Sequence, residues 1–205
     1  MPSLLFPYDC VGTLRWPGSW DDRRGPVLAQ GPLYVPDDVP VALTVMSVSG
    51  VRRSRSKGWI LKGDGRPVDL SFIRHLPPDA IDTLTIKAVQ PESMAALPHL
   101  APGLHRLYLA HTDLTDDALR YVARLTWLVY LQTFGNRFTD QGVALLGNLA
   151  FLESLYLEER TLSAGAFTFT YGLPRLTQLG LMEVPISGGQ LERLRATLPH
   201  VRIST

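Results

Sequence analysis

The sequence is short of several features that mark common classes of protein. Its 205 residues hold a single cysteine, Cys10, so no internal disulfide can form and a reducing compartment is expected. Basic and acidic residues nearly cancel, at 20 and 19, which excludes a protein built as a global polycation for nucleic acid. No apolar run approaches the about 18 residues of a membrane span, and the first residues make a poor signal peptide. We therefore expect a cytoplasmic protein without a membrane segment.

Motifs of the common enzyme classes are also missing. The sequence has no G-x-S-x-G, no G-x-x-x-x-G-K-S/T and no H-E-x-x-H. The five histidines are scattered, and six residues of extended chain would hold His105 and His111 about 20 Å apart, too far to share one metal ion. Cys10 is treated as a small hydrophobic residue rather than a nucleophile. We predict no catalytic residue, no metal site and no cofactor, and the protein is not expected to be an enzyme.

Leucine is abundant and unevenly placed, since 26 of the 34 leucines lie in residues 76–205. Segments with the pattern L-x-x-L-x-L begin at Leu104, Leu128, Leu152 and Leu176, which defines a 24-residue period. An upstream copy begins at Ile81 and a truncated one at Val201. A second set of positions has the same 24-residue period. Each of its apolar residues is followed by Thr or Ser: Leu114, Phe138, Leu162 and Ile186. Such fixed spacing is the signature of a repeat architecture.

Each repeat predicts one strand and one short helix. The L-x-x-L-x-L pattern directs alternate side chains inward from a strand, and the Thr or Ser that follows is a favourable helix N-cap. Apolar residues then recur at helical spacing, in one repeat Ala118, Leu119, Val122 and Leu125, and in the next Val143, Leu146 and Leu149. Because one unit cannot bury its apolar face alone, the units must stack, with parallel strands on one side and helices on the other.

Residues 76–205 resemble the leucine-rich-repeat family, in a bacterial-type form with 24-residue strand-plus-helix units such as Leu114–Leu125. The resemblance implies a ribonuclease-inhibitor-like α/β fold: a curved solenoid with parallel strands on the concave face and short helices on the convex face. It also implies protein binding through the concave face. Three features depart from the pattern: Thr133 replaces a strand leucine, Asn136 is the only turn asparagine, and segment 161–173 is rich in threonine and aromatic residues.

Residues 1–75 have a different composition, and we interpret them as a β-rich N-terminal cap of the repeats in 76–205. Alternation over 39–48 predicts one strand, and 58–71 predicts a strand, a tight turn and a second strand. Because Leu61 precedes Leu84 by nearly one repeat period, the strand at 59–62 is a candidate degenerate repeat. A small separate β domain joined near residue 50 is the alternative.

A basic run, Arg52-Arg-Ser-Arg-Ser-Lys57, lies within this first part. It could contact phosphate or an acidic partner, but it lacks an aromatic platform for bases. We favour a solvated loop, and nucleic acid binding is unlikely on this pattern.

The exposed positions of the repeats point to a candidate binding surface. We count the positions of each repeat from the first leucine of L-x-x-L-x-L. Side chains at the third, fifth, seventh and eighth positions are then predicted to face the solvent on the concave side. Four aromatic residues fall there, beside three carboxylates, which is the composition of an interface hot spot, although aromatic residues also stabilise strands by packing alone. The predicted partner-binding residues are Arg106, Tyr108, Tyr130, Gln132, Phe134, Tyr156, Glu158, Glu159, Met182 and Glu183.

The sequence therefore predicts a non-catalytic module that binds a protein or peptide on its concave face. Tyr108, Tyr130, Phe134 and Tyr156 are the expected anchors, and the glutamates are expected to select a basic or amide-rich segment. One alternative is an enzyme or enzyme-accessory protein with its site within 1–75, near Cys10 and the tryptophans. Another is an adaptor in a degradation complex, because segment 70–79 resembles the Leu-Pro elements of F-box adaptors. Neither the partner's identity nor the oligomeric state follows from the sequence.

Overall fold

The structure is a computed structural model that describes residues 13–21, 25–32, 41–44, 58–63, 67, 69–75, 78–79 and 81–205. Side chains are described at 67, 69–71, 73–74, 78–79 and 81–205. Cys10, the basic run 52–57 and the side chains of Trp16, Trp20 and Trp59 lie outside this part. The cap interpretation of residues 1–75 and the alternative of a separate domain both stay predictions.

Strands carry most of the regular structure. They are β1 Thr13–Asp21, β2 Gly25–Pro32, β3 Val41–Thr44, β4 Gly58–Gly63, β5 Thr83–Lys87, β6 Arg106–Ala110, β7 Tyr130–Phe134, β8 Ser154–Glu158, β9 Gln178–Met182 and β10 Arg202–Ser204. The α-helices are α1 Asp116–Val122, α2 Asp140–Ala144 and α3 Gly188–Thr197. Further connections are 3-10 helices at Ser71–His75, Pro91–Leu100, Leu145–Asn148 and Ala164–Gly172.

The repeats build one continuous sheet. Its strand order is β10-β9-β8-β7-β6-β5-β4-β3, and every neighbouring pair from β4 to β10 is parallel, while β3 is antiparallel to β4. From β6 to β10 each residue pairs with its equivalent in the next repeat, such as Leu107 with Leu131 and Leu131 with Leu155. This register confirms the predicted α/β solenoid of parallel strands and short helices. In a separate sheet, β1 pairs antiparallel with β2.

The core lies between the sheet and the helices. The strand leucines of the repeats are buried, among them Leu107, Leu131, Leu155 and Leu179. The predicted helix faces are buried as well, which confirms that these residues pack inward: Ala118, Leu119, Val122, Leu125, Val143, Leu146 and Leu149. Since each strand and helix contacts mainly the adjacent repeats, stability should depend on nearest-neighbour interfaces.

The predicted N-caps are only partly correct. Ser187 forms a capping box with Gln190, and Ser163 accepts a hydrogen bond from the Gly165 N–H. Thr115 and Thr139 occupy N-cap positions, but neither side chain caps its own helix.

Thr139 turns instead toward the preceding repeat. Its N–H and hydroxyl both donate to the Asp116 carboxylate, at 2.8 and 2.6 Å, and Ser163 repeats the arrangement on Asp140, at 2.8 and 2.5 Å. An aspartate one residue past each cap position therefore links consecutive repeats through charge-assisted hydrogen bonds. Gly142 keeps this contact open, since a Cβ there would lie 2.0 Å from Asp116 Oδ1.

Two predictions on segment 58–75 need correction. The predicted second strand at 67–71 is wrong at its described residues, because Ser71 begins a 3-10 helix whose first N–H donates to Asp69 at 2.8 Å. The first strand is present as β4, parallel to β5, but Leu61 pairs with Ile86 and not with Leu84. The register of these two strands therefore differs from the one that the leucine spacing suggested.

Segment 161–173 departs from the helix of the other repeats, as its composition suggested. Residues Ala164–Gly172 form a 3-10 helix, and Phe167 supplies a fully buried ring where a leucine would otherwise pack. The buried Thr170 hydroxyl has a hydrogen-bond partner in the same helix, because it donates to the Phe167 carbonyl at 2.6 Å.

Candidate functional site

The candidate site is the exposed face of the strands, and the sheet register aligns its side chains in rows. The third-position row runs Thr83, Arg106, Tyr130, Ser154, Gln178 and Arg202 across β5 to β10. The fifth-position row runs Thr85, Tyr108, Gln132, Tyr156, Gly180 and Ser204. We call the surface formed by these two rows and the seventh positions the concave face.

Three tyrosines form a continuous column on this face. The Tyr108 and Tyr130 ring centroids lie 4.9 Å apart, and those of Tyr130 and Tyr156 lie 5.5 Å apart. The Arg106 guanidinium carbon sits 6.0 Å from the centre of the Tyr130 ring. Contacts at these distances lie in the range of favourable ring–ring and cation–π interactions. The structure therefore brings together four of the residues expected from the sequence.

Two glutamines fix the tyrosine hydroxyls. The Tyr130 hydroxyl donates to Gln132 Oε1 at 2.8 Å, and the Tyr156 hydroxyl donates to Gln178 Oε1 at 2.6 Å. Each amide oxygen accepts one of these bonds, and each amide N–H2 group can act only as a donor. Burial, more than the neighbouring tyrosines, raises the pKa of the Tyr130 hydroxyl above its ordinary value.

Gly180 determines how the Tyr156 ring lies. A Cβ at Gly180 would come within 2.3 Å of the Tyr156 ring, so the missing side chain lets the ring lie across β9. A recess of about 250 Å³ opens beside this ring, lined by Tyr156, Gln178, Leu179, Arg202 and Ser204. Sequence reasoning on the tyrosines alone missed it, because it depends on the small residue of the neighbouring strand.

The seventh positions form one edge of the concave face. Phe134 is half-buried and packs edge-on against His111 at 4.8 Å between ring centroids, and Glu158 beside it is also half-buried. Met182 is 50% exposed, which is unusual for a large apolar side chain. These three residues lie where the sequence placed them.

Glu159 does not lie on the concave face, so its predicted exposure is wrong. Its side chain is 1% exposed, and its carboxylate accepts from the Thr133 hydroxyl at 3.0 Å and the Asn136 N–H at 3.2 Å. The other eighth positions, such as His111 and Glu183, have φ of 49° and 56°, which turns them outward. Glu159 is not among the residues of positive φ and continues the strand alternation into the core.

Glu183 is exposed but already paired. Arg160 donates to both carboxylate oxygens, at 2.8 and 3.1 Å, and this ion pair lowers the pKa of Glu183. Of the three predicted carboxylates, only Glu158 is thus left without a hydrogen bond in the described part of the chain. The expected selection of a basic segment by three glutamates therefore loses its structural basis.

Asn136 is the centre of a polar network between the sheet and the turns. Its amide oxygen accepts from the Thr112 hydroxyl at 2.5 Å, and its amide nitrogen donates to the Phe134 carbonyl at 3.2 Å and to Glu159 at 3.3 Å. Thr133, fully buried in a leucine position, is satisfied by the same carboxylate. Two sequence departures, Thr133 and Asn136, are thus explained by one buried glutamate.

The buried carboxyl predicts a pH effect on stability. Desolvation raises the pKa of Glu159 above its ordinary 4.5, so between the unfolded and folded pKa values the folded state binds more protons than the unfolded state. Stability from this group is therefore greatest at low pH and falls as pH rises through that window. We expect the Glu159→Gln variant to gain in free energy of unfolding, relative to the native protein, as pH increases from about 4 to 7.

Urea denaturation at several pH values measures this difference. Glu158→Gln makes the same change in net charge and serves as the charge-matched control. Parallel pH profiles for the native protein and the Glu159→Gln variant would contradict the assignment.

The described residues offer neither a metal site nor a membrane-spanning helix. No group of three or more His, Cys, Asp or Glu there could hold a metal ion. Within the same part of the chain, no helix has the length and apolar character needed to cross a membrane.

The 24-residue repeats, the parallel register and the buried leucine ladder together define a leucine-rich-repeat solenoid. No protein-family model and no curated protein matches the chain. Among solved structures it is similar to a leucine-rich-repeat protein of Leptospira interrogans, with 22% identity and a TM-score of 0.44 over 66% of this chain and 33% of that one. It is also similar to an internalin, InlF, of Listeria monocytogenes, with 22% identity and a TM-score of 0.47 over 66% of this chain and 44% of that one. The chain thus spans less than half the length of either protein.

Proposed function

We propose that the protein is a non-catalytic module that binds a protein or peptide on its concave face. The single observation that supports this best is the tyrosine column of Tyr108, Tyr130 and Tyr156. Its rings lie on the exposed side of the strands, are only half-buried and contact one another. Tyrosine combines a large rigid apolar area with a polar tip, and it is enriched at the centres of protein interfaces.

The rest of the surface suits a polypeptide partner. The amide N–H2 groups of Gln132 and Gln178 can donate to backbone carbonyls, and Met182 can adapt to an apolar side chain. Phe134 and Glu158 would border the contact on the seventh-position edge. Glu159 has no place in this proposal because it is buried, and Glu183 takes part only as a member of its ion pair with Arg160.

Alanine at both Tyr130 and Tyr156 tests the proposal. We expect the immobilised double variant to capture at least about tenfold less of the proteins that the native chain retains from host lysate, because two interface aromatics are typically worth more than about 1.4 kcal/mol. The measurement is quantitative mass spectrometry of the eluates. Circular dichroism should show that both proteins are folded, since neither ring is a core residue.

A matched control removes two aromatics elsewhere. Trp127 and Tyr171 are 50% and 52% exposed and lie outside the strands, so Trp127→Ala/Tyr171→Ala should retain the same proteins. Equal capture by the native chain and the Tyr130→Ala/Tyr156→Ala variant would remove the concave face from consideration.

A further inference from the structure

The third-position row of the concave face has an uneven distribution of charge. Arg106 on β6 and Arg202 on β10 are both exposed and stand four strands apart in the same row. Between them lie Tyr130, Ser154 and Gln178, which offer one ring, one hydroxyl and one amide. The row between the two arginines holds no carboxylate.

Neither arginine is neutralised within the described part of the chain. The ion pairs there engage Arg120, Arg137, Arg160 and Arg195, and in none of them does Arg106 or Arg202 take part. The Arg106 guanidinium carbon lies 6.0 Å from the centre of the Tyr130 ring. Because its side chain forms no hydrogen bond within the described residues, its N–H donors are available. With Lys87, the concave face holds three basic side chains against the single unbonded carboxylate of Glu158.

The lining of the recess beside Tyr156 contains residues whose side chains can donate hydrogen bonds. Arg202, Gln178 and Ser204 line it, together with Tyr156 and Leu179. Gln178 Oε1 accepts from Tyr156, and the N–H2 group of the same amide is the part that can donate to a carboxylate. The recess volume of about 250 Å³ is below the usual range for a drug-sized ligand and fits a single side chain.

We propose that the third-position row binds an extended acidic peptide segment of a partner protein, with one carboxylate in the recess at Arg202 and a second at Arg106. Neighbouring strands lie about 4.8 Å apart, so four strand spacings separate the two arginines by about 19 Å. An extended chain covers this distance in about six residues. The partner therefore carries two Asp or Glu residues about six positions apart, with apolar residues between them over the tyrosine rings. The inference rests on the proposed concave binding function and gives it a partner chemistry.

Selection from a random dodecapeptide library displayed on phage, with the full 205-residue chain as bait, tests this. We expect enriched peptides to carry two acidic residues about six positions apart. Fluorescence polarisation with a labelled enriched peptide should show at least about tenfold weaker binding to Arg106→Gln/Arg202→Gln, and weaker binding to the native chain as salt increases. Changing the two acidic residues of the peptide to Gln and Asn should produce a similar loss.

Arg124→Gln/Arg193→Gln is the matched control, because both arginines are exposed and lie outside the strands. It removes the same charge and should bind the peptide as the native chain does. Enriched peptides without the acidic pair, or unchanged binding by Arg106→Gln/Arg202→Gln, would overturn the inference. If enriched peptides without the acidic pair still require Tyr130 and Tyr156 for binding, the concave binding function remains and only the acidic-partner inference falls. If no peptide is enriched, the inference also falls, and the lysate capture experiment still decides the binding function.

Discussion

Replacing Asn136 by alanine is expected to lower the free energy of unfolding by about 3 kcal/mol, a large fraction of the stability of a small protein. The side chain bonds to five groups on three consecutive repeats: the Thr112 hydroxyl, the Leu114 N–H, the carbonyls of Leu109 and Phe134, and the Glu159 carboxylate. Each buried polar group that loses its partner costs about 1 to 3 kcal/mol, and some of these groups keep a second partner. The effect is therefore well above that of an ordinary surface change.

The chain offers a matched control for this prediction. Asn148 is exposed at the end of the 3-10 helix Leu145–Asn148, and its side chain has no part in the network, so Asn148→Ala should change stability by about 0.5 kcal/mol or less. Urea denaturation followed by circular dichroism measures both variants. A similar small loss in the two proteins would show that the Asn136 hydrogen bonds contribute little beyond those made to water.

The sequence predicts the fold of residues 81–205 well because burial in a solenoid is periodic. Leu107, Leu131 and Leu155 occupy equivalent positions in successive repeats, and each must face the same core. A residue's direction then follows from strand alternation alone, which also placed Tyr108 and Tyr130 correctly on the exposed side. The same rule fails only where the strand ends.

The eighth position shows why the candidate site was less predictable. There the backbone leaves the strand, and a left-handed conformation at His111 and Glu183 reverses the direction that alternation would give. Glu159 keeps the alternation and enters the core, where Thr133 and Asn136 bind its carboxylate. A signal was present, since a threonine in a leucine position requires a hydrogen-bond partner, but its partner is 26 residues away and belongs to another repeat.

Long-range pairs between repeats are the other feature that single-sequence reasoning missed. Arg160 neutralises Glu183 from 23 residues away, and the Thr139 hydroxyl donates to Asp116 at the same separation without capping its own helix. Rules that consider only sequence neighbours predict an unpaired carboxylate at Glu183 and a helix-capping side chain at Thr139. Side chains one repeat apart are nearest neighbours in this fold, so pairing between adjacent repeats decides which charges are available to a partner.

Phe167→Ala is expected to destabilise the protein by about 3 to 5 kcal/mol. The ring is fully buried in the 3-10 helix Ala164–Gly172, at the position that Leu119 and Val143 occupy in the two preceding repeats. Removal of a buried phenylalanine forfeits its transfer free energy and leaves a cavity that neighbouring side chains fill only in part. A 3-10 helix is intrinsically weaker than an α-helix, so this segment depends on the ring to hold it against the sheet.

Phe169, two residues along the same 3-10 helix, provides the control. It is only partly buried against the core, so Phe169→Ala should cost less, about 1 to 2 kcal/mol. Urea midpoints of the two variants give the comparison, and hydrogen exchange shows which amides lose protection. In a solenoid the loss for Phe167→Ala should be concentrated in β8, β9 and the 3-10 helix between them, because each repeat is stabilised mainly by its neighbours. Equal costs for the two rings would mean that Phe167 does not anchor this repeat.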